Sequence, residues 1–577
     1  MKSPLSDRDF GARQLQLRLA LVMGLLVLAA LALVARAVDL QLVDHGFLAG
    51  QGDARHLRDL SITAHRGTIT DRYGEPLAVS TPVDSVAVNP RVLSQSADNL
   101  PRLARVLKRD REALARRVTS NLDREFLYLG RHLEPQQAAR LRALGIPGVR
   151  LIREYRRYYP AGEVAGHVLG FTSIDDSGQE GLELAYDHYL TGEDGVKRVI
   201  QDGYGRVVEV VESIRAVRPG KDLVLSLDLR IQYLAYRELK RAMLEHRARS
   251  ASLVVLDVAS GEVLAMVNQP SFNPNDREQL AAGRYRNRAA TDIFEPGSSI
   301  KPFIIAAALD SGQYDRRSVV DTSSGLQVGV KLIQDKNDLG VIDLSTILAK
   351  SSNVGMAKIA LTLEPERIWS TLDALGFGQV STSGYPGESA GLLSHHSHWR
   401  RIGIATLAYG YGMSVTPLQL AHAYATLGAG GIERPVTFLR TYDPVPGKRV
   451  LAEHVAHDLV AMLESVITPD GTGERAALTG YRVSGKTGTS WKANAGGYST
   501  DRYMSVFAGL VPATRPRLAA VVVLDEPSGA HYYGGDVAAP VFANVMAGAL
   551  RLMAVAPDDL PQPQPEQATL AQADGPP

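Results

Sequence analysis

Seventeen uncharged residues in a row, Leu19 to Ala35, restrict this chain more than any other stretch of it. As a helix they run about 25 Å. With Arg36, Ala37 and Val38 the segment reaches the length that crosses a bilayer. Lys2, Arg8, Arg13 and Arg18 precede it, so residues 1–18 should stay in the cytoplasm and the remainder be exported. Ala35-Arg36-Ala37 has the form of a signal-cleavage site. The apolar run is nevertheless longer than a signal core and its leader is long, which favours an uncleaved anchor over 19–38. Arg36, at the outer edge, can extend to the headgroups or face a partner helix. The 577 residues suffice for several domains. A net charge of +1 leaves no basic footprint and argues against nucleic acid as a partner. With no cysteine there is no disulfide, no thiolate metal site and no thiol nucleophile.

From 39 to 221 short strand-like runs such as Ser85-Val86-Ala87-Val88 alternate with charged helical ones, notably Arg102 to Arg117. Arg66 to Gly74 reads as a strand and turn locked by charge pairs. Arg157-Tyr158-Tyr159-Pro160, His167 and Glu180 to Glu183 fall in a turn-rich patch with a structural rather than catalytic composition. This region is expected to be a support or docking module. A second domain is expected over 222–555. It opens with a hairpin, Ser252–Val258 and Glu262–Asn268 around Ala259-Ser260-Gly261. It closes with another, Tyr503–Val511 and Leu518–Leu524, and a helix from Ala538 to Met553. Strands at both ends and helices between predict an α+β fold, an antiparallel sheet packed with helices. Residues 556–577, rich in Pro, Gln, Asp and Ala, are expected to be disordered.

Three clusters carry chemistry. In Glu295-Pro296-Gly297-Ser298-Ser299-Ile300-Lys301-Pro302-Phe303 a turn signal precedes an apolar helical run. The i, i+3 spacing puts Ser298 and Lys301 on one helix face, where hydroxyl and amine can meet. A desolvated lysine can take the proton of a serine. The bland alternative is a capping serine with a surface lysine. Lys350-Ser351-Ser352-Asn353 offers a hydroxyl and an amide two residues apart that face one cleft if the backbone is extended, or simply an N-cap for the run from Val354. In Ser484-Gly485-Lys486-Thr487-Gly488-Thr489-Ser490 small residues alternate along a strand, so a substrate backbone can lie close. Gly480 to Thr487 also meets the spacing of a phosphate loop, but Gly488-Thr489-Ser490-Trp491 starts a helix poorly and Tyr481-Arg482-Val483 reads as strand. Ser394-His395-His396-Ser397-His398 lacks an acidic partner and reads as a solvated turn, so no metal site is assigned.

Ser298-x-x-Lys301, Ser351-x-Asn353 and Lys486-Thr487-Gly488, in that order, resemble the signature of the penicillin-binding and serine β-lactamase superfamily. Arg66 to Gly74, Arg157 to Glu183, Ala405 to Gly412 and Val415 to Gln419 resemble class B penicillin-binding proteins. The last of these stretches, the length, and Tyr532-Tyr533-Gly534-Gly535 with Ala539-Pro540-Val541-Phe542 most resemble the division-specific, FtsI-type transpeptidase. The resemblance implies a transpeptidase domain on an elongated N-terminal pedestal with one transmembrane helix, and no cofactor. It implies peptidoglycan stem peptides ending in D-Ala-D-Ala as substrate, and β-lactams as inhibitors. Ser298 would be the nucleophile, Lys301 the base, Ser351 a proton relay, and Asn353 a ligand of the stem amide. Lys486, Thr487 and Thr489 would receive the terminal carboxylate beside Gly488, and the N–H groups of Ser298 and Thr489 would form the oxyanion hole. Tyr409, Tyr503, Tyr532 and Tyr533 would wall the cleft or fill the core. A SEDS-type, FtsW-like glycosyltransferase and other divisome membrane proteins are the implied partners. An elongation-type transpeptidase, a membrane-tethered β-lactamase and a non-catalytic sensor or scaffold are the competing readings. No Glu-x-x-x-Asn arrangement between Asn353 and Lys486 could position a deacylating water, which weighs against the lactamase.

Overall fold

The computed structural model describes residues 6–43, 46, 57–95, 98–201, 207–279, 281–443, 446–494 and 497–560. Helix Ser6–Val38 carries the apolar run, and Arg13–Gln41, with mean hydropathy 2.6 and no buried residue, is long and apolar enough to cross a membrane. Arg36 pairs with Asp39.

Beyond the helix the chain forms two compact units. The first takes its residues from 83–154 and 193–218 together with the N-terminal part. Strands Leu57–Ile62, Gly195–Gln201 and Val207–Arg215 make an antiparallel sheet in that order. Residues 84–88 pair with Leu127–Leu133, and helices Asn99–Leu107, Arg111–Thr119 and Pro135–Leu144 bury Leu103, Leu114 and Leu141 together with Val86 and Leu129. In the arginine-rich stretch the leucines supply the packed face, and Asp110 caps the second helix by accepting from the Ala113 N–H.

The second unit joins His65–Pro82 and Tyr155–Gly192 to everything from Pro219 onward. Along the chain the larger domain was expected to begin at 222; in space, two upstream segments cluster with it. Ile69–Thr70 pairs in parallel with Leu223–Val224 and Arg72 reaches Glu262 at 3.1 Å, while buried ion pairs tie the two upstream segments to each other. Glu183, with no exposed side-chain surface, receives Arg66 Nε at 2.8 Å and Arg157 Nε at 2.6 Å, and Arg66 also reaches Asp187 at 2.7 Å. Burying a carboxylate at this depth is tolerable only with such partners. His167 is likewise structural: it is buried, bonded through Nε2 to the Arg284 carbonyl at 2.8 Å, and set edge-on to Phe272.

A five-stranded antiparallel sheet organises this unit: β1 (Ser250–Asp257), β2 (Val263–Gln269), β3 (Ser484–Asn494), β4 (Gly497–Val511) and β5 (Leu518–Asp525), ordered β2-β1-β5-β4-β3. Its main helices are α1 (Leu229–Glu245), α2 (Lys301–Asp310), α3 (Leu344–Lys350), α4 (Asn353–Thr362), α5 (Pro417–Gly428) and α6 (Ala539–Leu552). Both expected hairpins and the terminal helix are present. Every residue of β1 and β2 is buried because alternate side chains serve two cores. Leu253, Val255 and Leu264 pack with α1 and α6, while Val254, Leu256 and Met266 pack toward α2 and α5. Such double coverage explains strands that read as nearly continuous apolar runs. Residues 556–560 of the expected disordered tail belong to the described part. Asp558 accepts from the Arg482 N–H at 2.8 Å and the Thr514 hydroxyl at 2.7 Å, and residues from 561 lie outside the described part.

Candidate active site

Pro296-Gly297 turns the chain, with Gly297 at φ +53°, into a single 3-10 turn, Gly297–Ile300, from which α2 continues. Ser298 is half-buried on that turn. Lys301 opens α2 and is completely buried. The expected hydroxyl–amine contact is not made in this state. Lys301 Nζ instead meets the Ser351 carbonyl at 2.7 Å, Asn353 Oδ1 at 2.8 Å, and the Ser351 hydroxyl and Ser352 carbonyl at 3.2 Å each. The amine thus joins two of the three clusters.

Ser351 and Asn353 converge for a reason different from the one expected. The backbone between them is a kink between two helices, not an extended segment. Ser351 terminates α3 in the left-handed region, φ +58°, which costs a non-glycine residue about 1–2 kcal/mol. Ser352 caps α4 by accepting from the Gly355 N–H, so the capping reading is also correct, one residue along. Asp335, which the sequence did not single out, secures the kink. Its carboxylate accepts from the backbone N–H of Asn353 at 2.5 Å, from that of Val354 at 3.2 Å, and from the Ser352 hydroxyl. An aspartate seventeen residues upstream of a serine carries no local signal.

Lys486 comes from β3, an edge strand with β4 on one side only. Also completely buried, its Nζ lies 3.1 Å from the Ser351 hydroxyl and 3.1 Å from the Thr487 carbonyl. The Ser351 hydroxyl therefore stands between two buried amines. Burial pulls Lys486 down to about 7. Burial first, then the neighbouring Lys486, hold Lys301 well below the ordinary lysine range, against a weaker pull upward from Asp335. A neutral Lys301 keeps two N–H groups for these acceptors and one lone pair able to take a proton.

Close packing places β3 beside the serine turn. A side chain at Gly488 would bring a Cβ within 2.9 Å of the Pro296 carbonyl, and one at Gly410, φ +89°, within 2.1 Å of the Gly297 carbonyl. Ser490 Oγ donates to the Glu295 carbonyl at 2.9 Å. The Thr487 and Thr472 hydroxyls bond each other at 2.7 Å, and the Thr489 hydroxyl accepts from the Gly534 N–H at 3.0 Å. Tyr409, Tyr503, Tyr532 and Tyr533 line one cleft of about 730 Å³ with Asn353 and Thr489. Tyr503 stacks on Tyr532 at 4.1 Å, and Tyr532 leans on Tyr533 at 4.5 Å. Tyr411, Tyr498 and Trp491 line the same cleft and were not selected from the sequence. The Tyr409 to Tyr411 spacing held the signal for the first of these. His395 and His396 lie against Trp369, and among the described residues no cluster of three or more metal-ligating side chains occurs.

A serine on a turn, two buried lysines and a bridging hydroxyl beside an edge strand define a serine acyl-transfer enzyme. The model of the penicillin binding protein transpeptidase domain matches residues 251–547, and that of the penicillin-binding protein dimerisation domain matches 61–225. The chain belongs to the class B penicillin-binding proteins, and it is a peptidoglycan D,D-transpeptidase. It is 42% identical over 544 residues to the probable peptidoglycan D,D-transpeptidase PbpC of Pseudomonas aeruginosa, covering 94% of this chain and 96% of that one. It is 40% identical over 563 residues to the peptidoglycan D,D-transpeptidase FtsI of Escherichia coli K12, covering 97% and 95%. The structure of penicillin binding protein 3 from Mycobacterium tuberculosis, complexed with aztreonam, is similar at TM-score 0.68 and 27% identity, over 87% of this chain and 98% of that one.

Proposed function

We propose that this transpeptidase serves the division septum, with Ser298 as its nucleophile. The observation that carries the assignment of roles is the Ser351 hydroxyl held 3.2 Å from Lys301 Nζ and 3.1 Å from Lys486 Nζ. Ser298 Oγ bonds to the carbonyl carbon of the penultimate D-Ala as its proton passes to neutral Lys301. The bond to the terminal D-Ala nitrogen breaks, and that amine takes a proton delivered from Lys301 through the Ser351 hydroxyl. An amine of a second stem then attacks the ester, and Ser298 recovers its proton. The Asn353 amide binds the stem. Lys486, Thr487 and Thr489 take the terminal carboxylate, and the open side of β3 beside Gly488 lets the peptide lie as an added strand. The N–H groups of Ser298 and Thr489 stabilise the oxyanion, the contribution most costly to lose. Tyr409, Tyr503, Tyr532 and Tyr533 form the cleft wall.

Ser298→Ala should abolish covalent labelling by a fluorescent penicillin while the thermal unfolding transition survives. Labelling that persists at another serine would remove the assignment. We further read residues 19–38 as a single-pass anchor with a cytoplasmic N-terminus, residues 39–221 as a pedestal, and an FtsW-like glycosyltransferase among the divisome membrane proteins it docks to. The FtsI relatives support the septal reading. A fluorescent fusion should gather at mid-cell in dividing cells, whereas even distribution along the side wall would favour the elongation role.

A further inference from the structure

Next to the cleft, within the same unit, lies a second cavity of about 490 Å³. Its walls are the start of β1, the loop from Gly283 to Glu295, Ser414, Pro417, and the β3 residues Ser490 to Ala493. It shares Trp491 with the cleft, and Glu295 stands between the two spaces: Glu295 lines this cavity, yet its Oε1 accepts from the hydroxyl of the cleft residue Tyr498 at 3.0 Å. The mechanism proposed for Ser298 uses none of the cavity's charged groups.

Those groups are Arg249, Arg286, Arg288 and Lys492, against Asp292, Glu295 and Asp525. Most are matched. Lys492 bonds Asp525 at 2.5 Å and Glu526 at 2.7 Å, Arg249 reaches Glu526 at 3.1 Å, and Arg286 reaches Asp292 at 2.5 Å. Arg288 and Glu295 are the exceptions: Glu295 accepts from the Gly412 N–H and the Tyr498 hydroxyl through Oε1, and its Oε2 is buried without a donor among the described residues. Arg288 is the unmatched cation. Its side chain is only 18% exposed, and its nearest carboxylate, Asp292 at 3.9 Å, already serves Arg286. Nη2 donates to the Gly283 carbonyl at 2.8 Å, and Nη1 is buried without an acceptor among the described residues. Burial pushes the guanidinium down, but an arginine does not shed its proton in a protein. Arg286 and Arg288 share the single carboxylate of Asp292, so this corner of the cavity carries one cation more than its carboxylates.

We propose that this cavity binds the terminal carboxylate of a peptidoglycan stem peptide other than the one that acylates Ser298, with Arg288 and Arg286 as its ligands. The ligand class rests on the transpeptidase reading. A reaction joining two stems must hold a second peptide near the ester, and the wall at Glu295, three residues before Ser298, puts this cavity beside the nucleophile's own segment. A carboxylate can accept charge-assisted hydrogen bonds from the N–H groups of Arg286 and Arg288 that Asp292 and the Gly283 carbonyl leave over. Arg288 is then a binding residue of the second stem, and Glu295 is a partition between the two peptides.

The test uses the full chain in detergent with Ser298 first acylated by penicillin, so that the cleft is filled. Complete labelling at Ser298 verifies the nucleophile independently of any peptide binding. A purified stem tetrapeptide with a free C-terminal carboxylate, and the same peptide as its C-terminal amide, are then titrated by calorimetry. The free acid should bind saturably, the amide at least tenfold more weakly, and Arg288→Gln should weaken the free acid at least tenfold. Arg286→Gln, whose side chain is 54% exposed, removes a ligand without emptying a buried position and should weaken binding about threefold or more even if Arg288→Gln does not fold. Equal affinity for acid and amide would overturn the proposal. So would wild-type affinity in the arginine variants, or binding only to the unacylated enzyme.

Discussion

At the scale of single residues the site works by withholding water from two amines. Lys301 and Lys486 have no exposed surface, and each is pulled toward neutrality by that burial. The roles proposed for them need opposite charge states: Lys301 neutral as a base, Lys486 cationic for a carboxylate. The first requirement makes acylation fall as pH drops through the lowered value of Lys301. The second makes it fall as pH rises past about 7, where free Lys486 loses its proton. The rate constant for acylation at low peptide concentration should therefore peak, with an alkaline limb near 7. At saturation the limb should move upward, because a bound carboxylate favours the charged amine. Lys486→Arg keeps the charge at all accessible pH and should remove the alkaline limb while lowering the maximum, since a planar guanidinium does not fit the place of an ammonium. A stopped-flow pH series on both proteins checks this, and an unchanged limb in the variant would place the titration elsewhere.

At the scale of elements the arrangement depends on where α2, the α3–α4 kink and β3 touch. The kink holds a strained serine in place because the Asp335 carboxylate occupies the N-terminus of α4, where the first backbone N–H groups have no helical acceptors. β3 approaches the serine turn closely because Gly488 has no side chain. Gly488→Ala would set a Cβ 2.9 Å from the Pro296 carbonyl, a distance that backbone on either side must open. The strand is paired to β4 along most of its length, so the fold should persist while β3 shifts away from Ser298. Acylation is expected to fall about 100-fold, on the order of what an ångström of misplacement costs, with the thermal midpoint lowered by only a few degrees. Full acylation rates in that variant would show that the contact yields without consequence. Local pattern made these elements legible: alternating small residues for β3, continuous apolar runs for β1, β2 and α2. The 3-10 turn and the left-handed Ser351 were not legible, because both are set by partners far away in sequence.

At the scale of the molecule, the second unit is closed by segments from the first 200 residues. Glu183 is fully buried between Arg66 and Arg157, residues 117 and 26 positions away. Glu183→Gln would keep the shape and leave two buried guanidiniums short of a charge. Breaking a buried pair from one side typically costs about 3–5 kcal/mol. Because these segments belong to the same compact unit as β3, the loss should appear in penicillin labelling on heating: the temperature at which labelling is lost should drop by several degrees in the variant. A midpoint equal to wild type would mean that the network is dispensable for the catalytic unit.

The sequence by itself determined the long apolar N-terminal helix, the strands with their helical covering, and the identity of Ser298, Lys301, Ser351, Asn353 and Lys486 as candidates. The helix and the strands rest on spacing or composition within a few residues, and local periodicity survives any tertiary arrangement; the five site residues rest on the resemblance of three ordered motifs to the penicillin-binding superfamily. Only the tertiary structure decided that Lys301 turns to Ser351 and Asn353 rather than to Ser298. It likewise decided that Asp335 secures the kink, that Tyr411, Tyr498 and Trp491 join the cleft, and that Arg66 and Arg157 meet Glu183. These depend on low-dielectric contacts between segments brought together by the shared cores. Burial sets the charge of a lysine, and which side chains are buried together is a property of the packed chain rather than of any stretch of it.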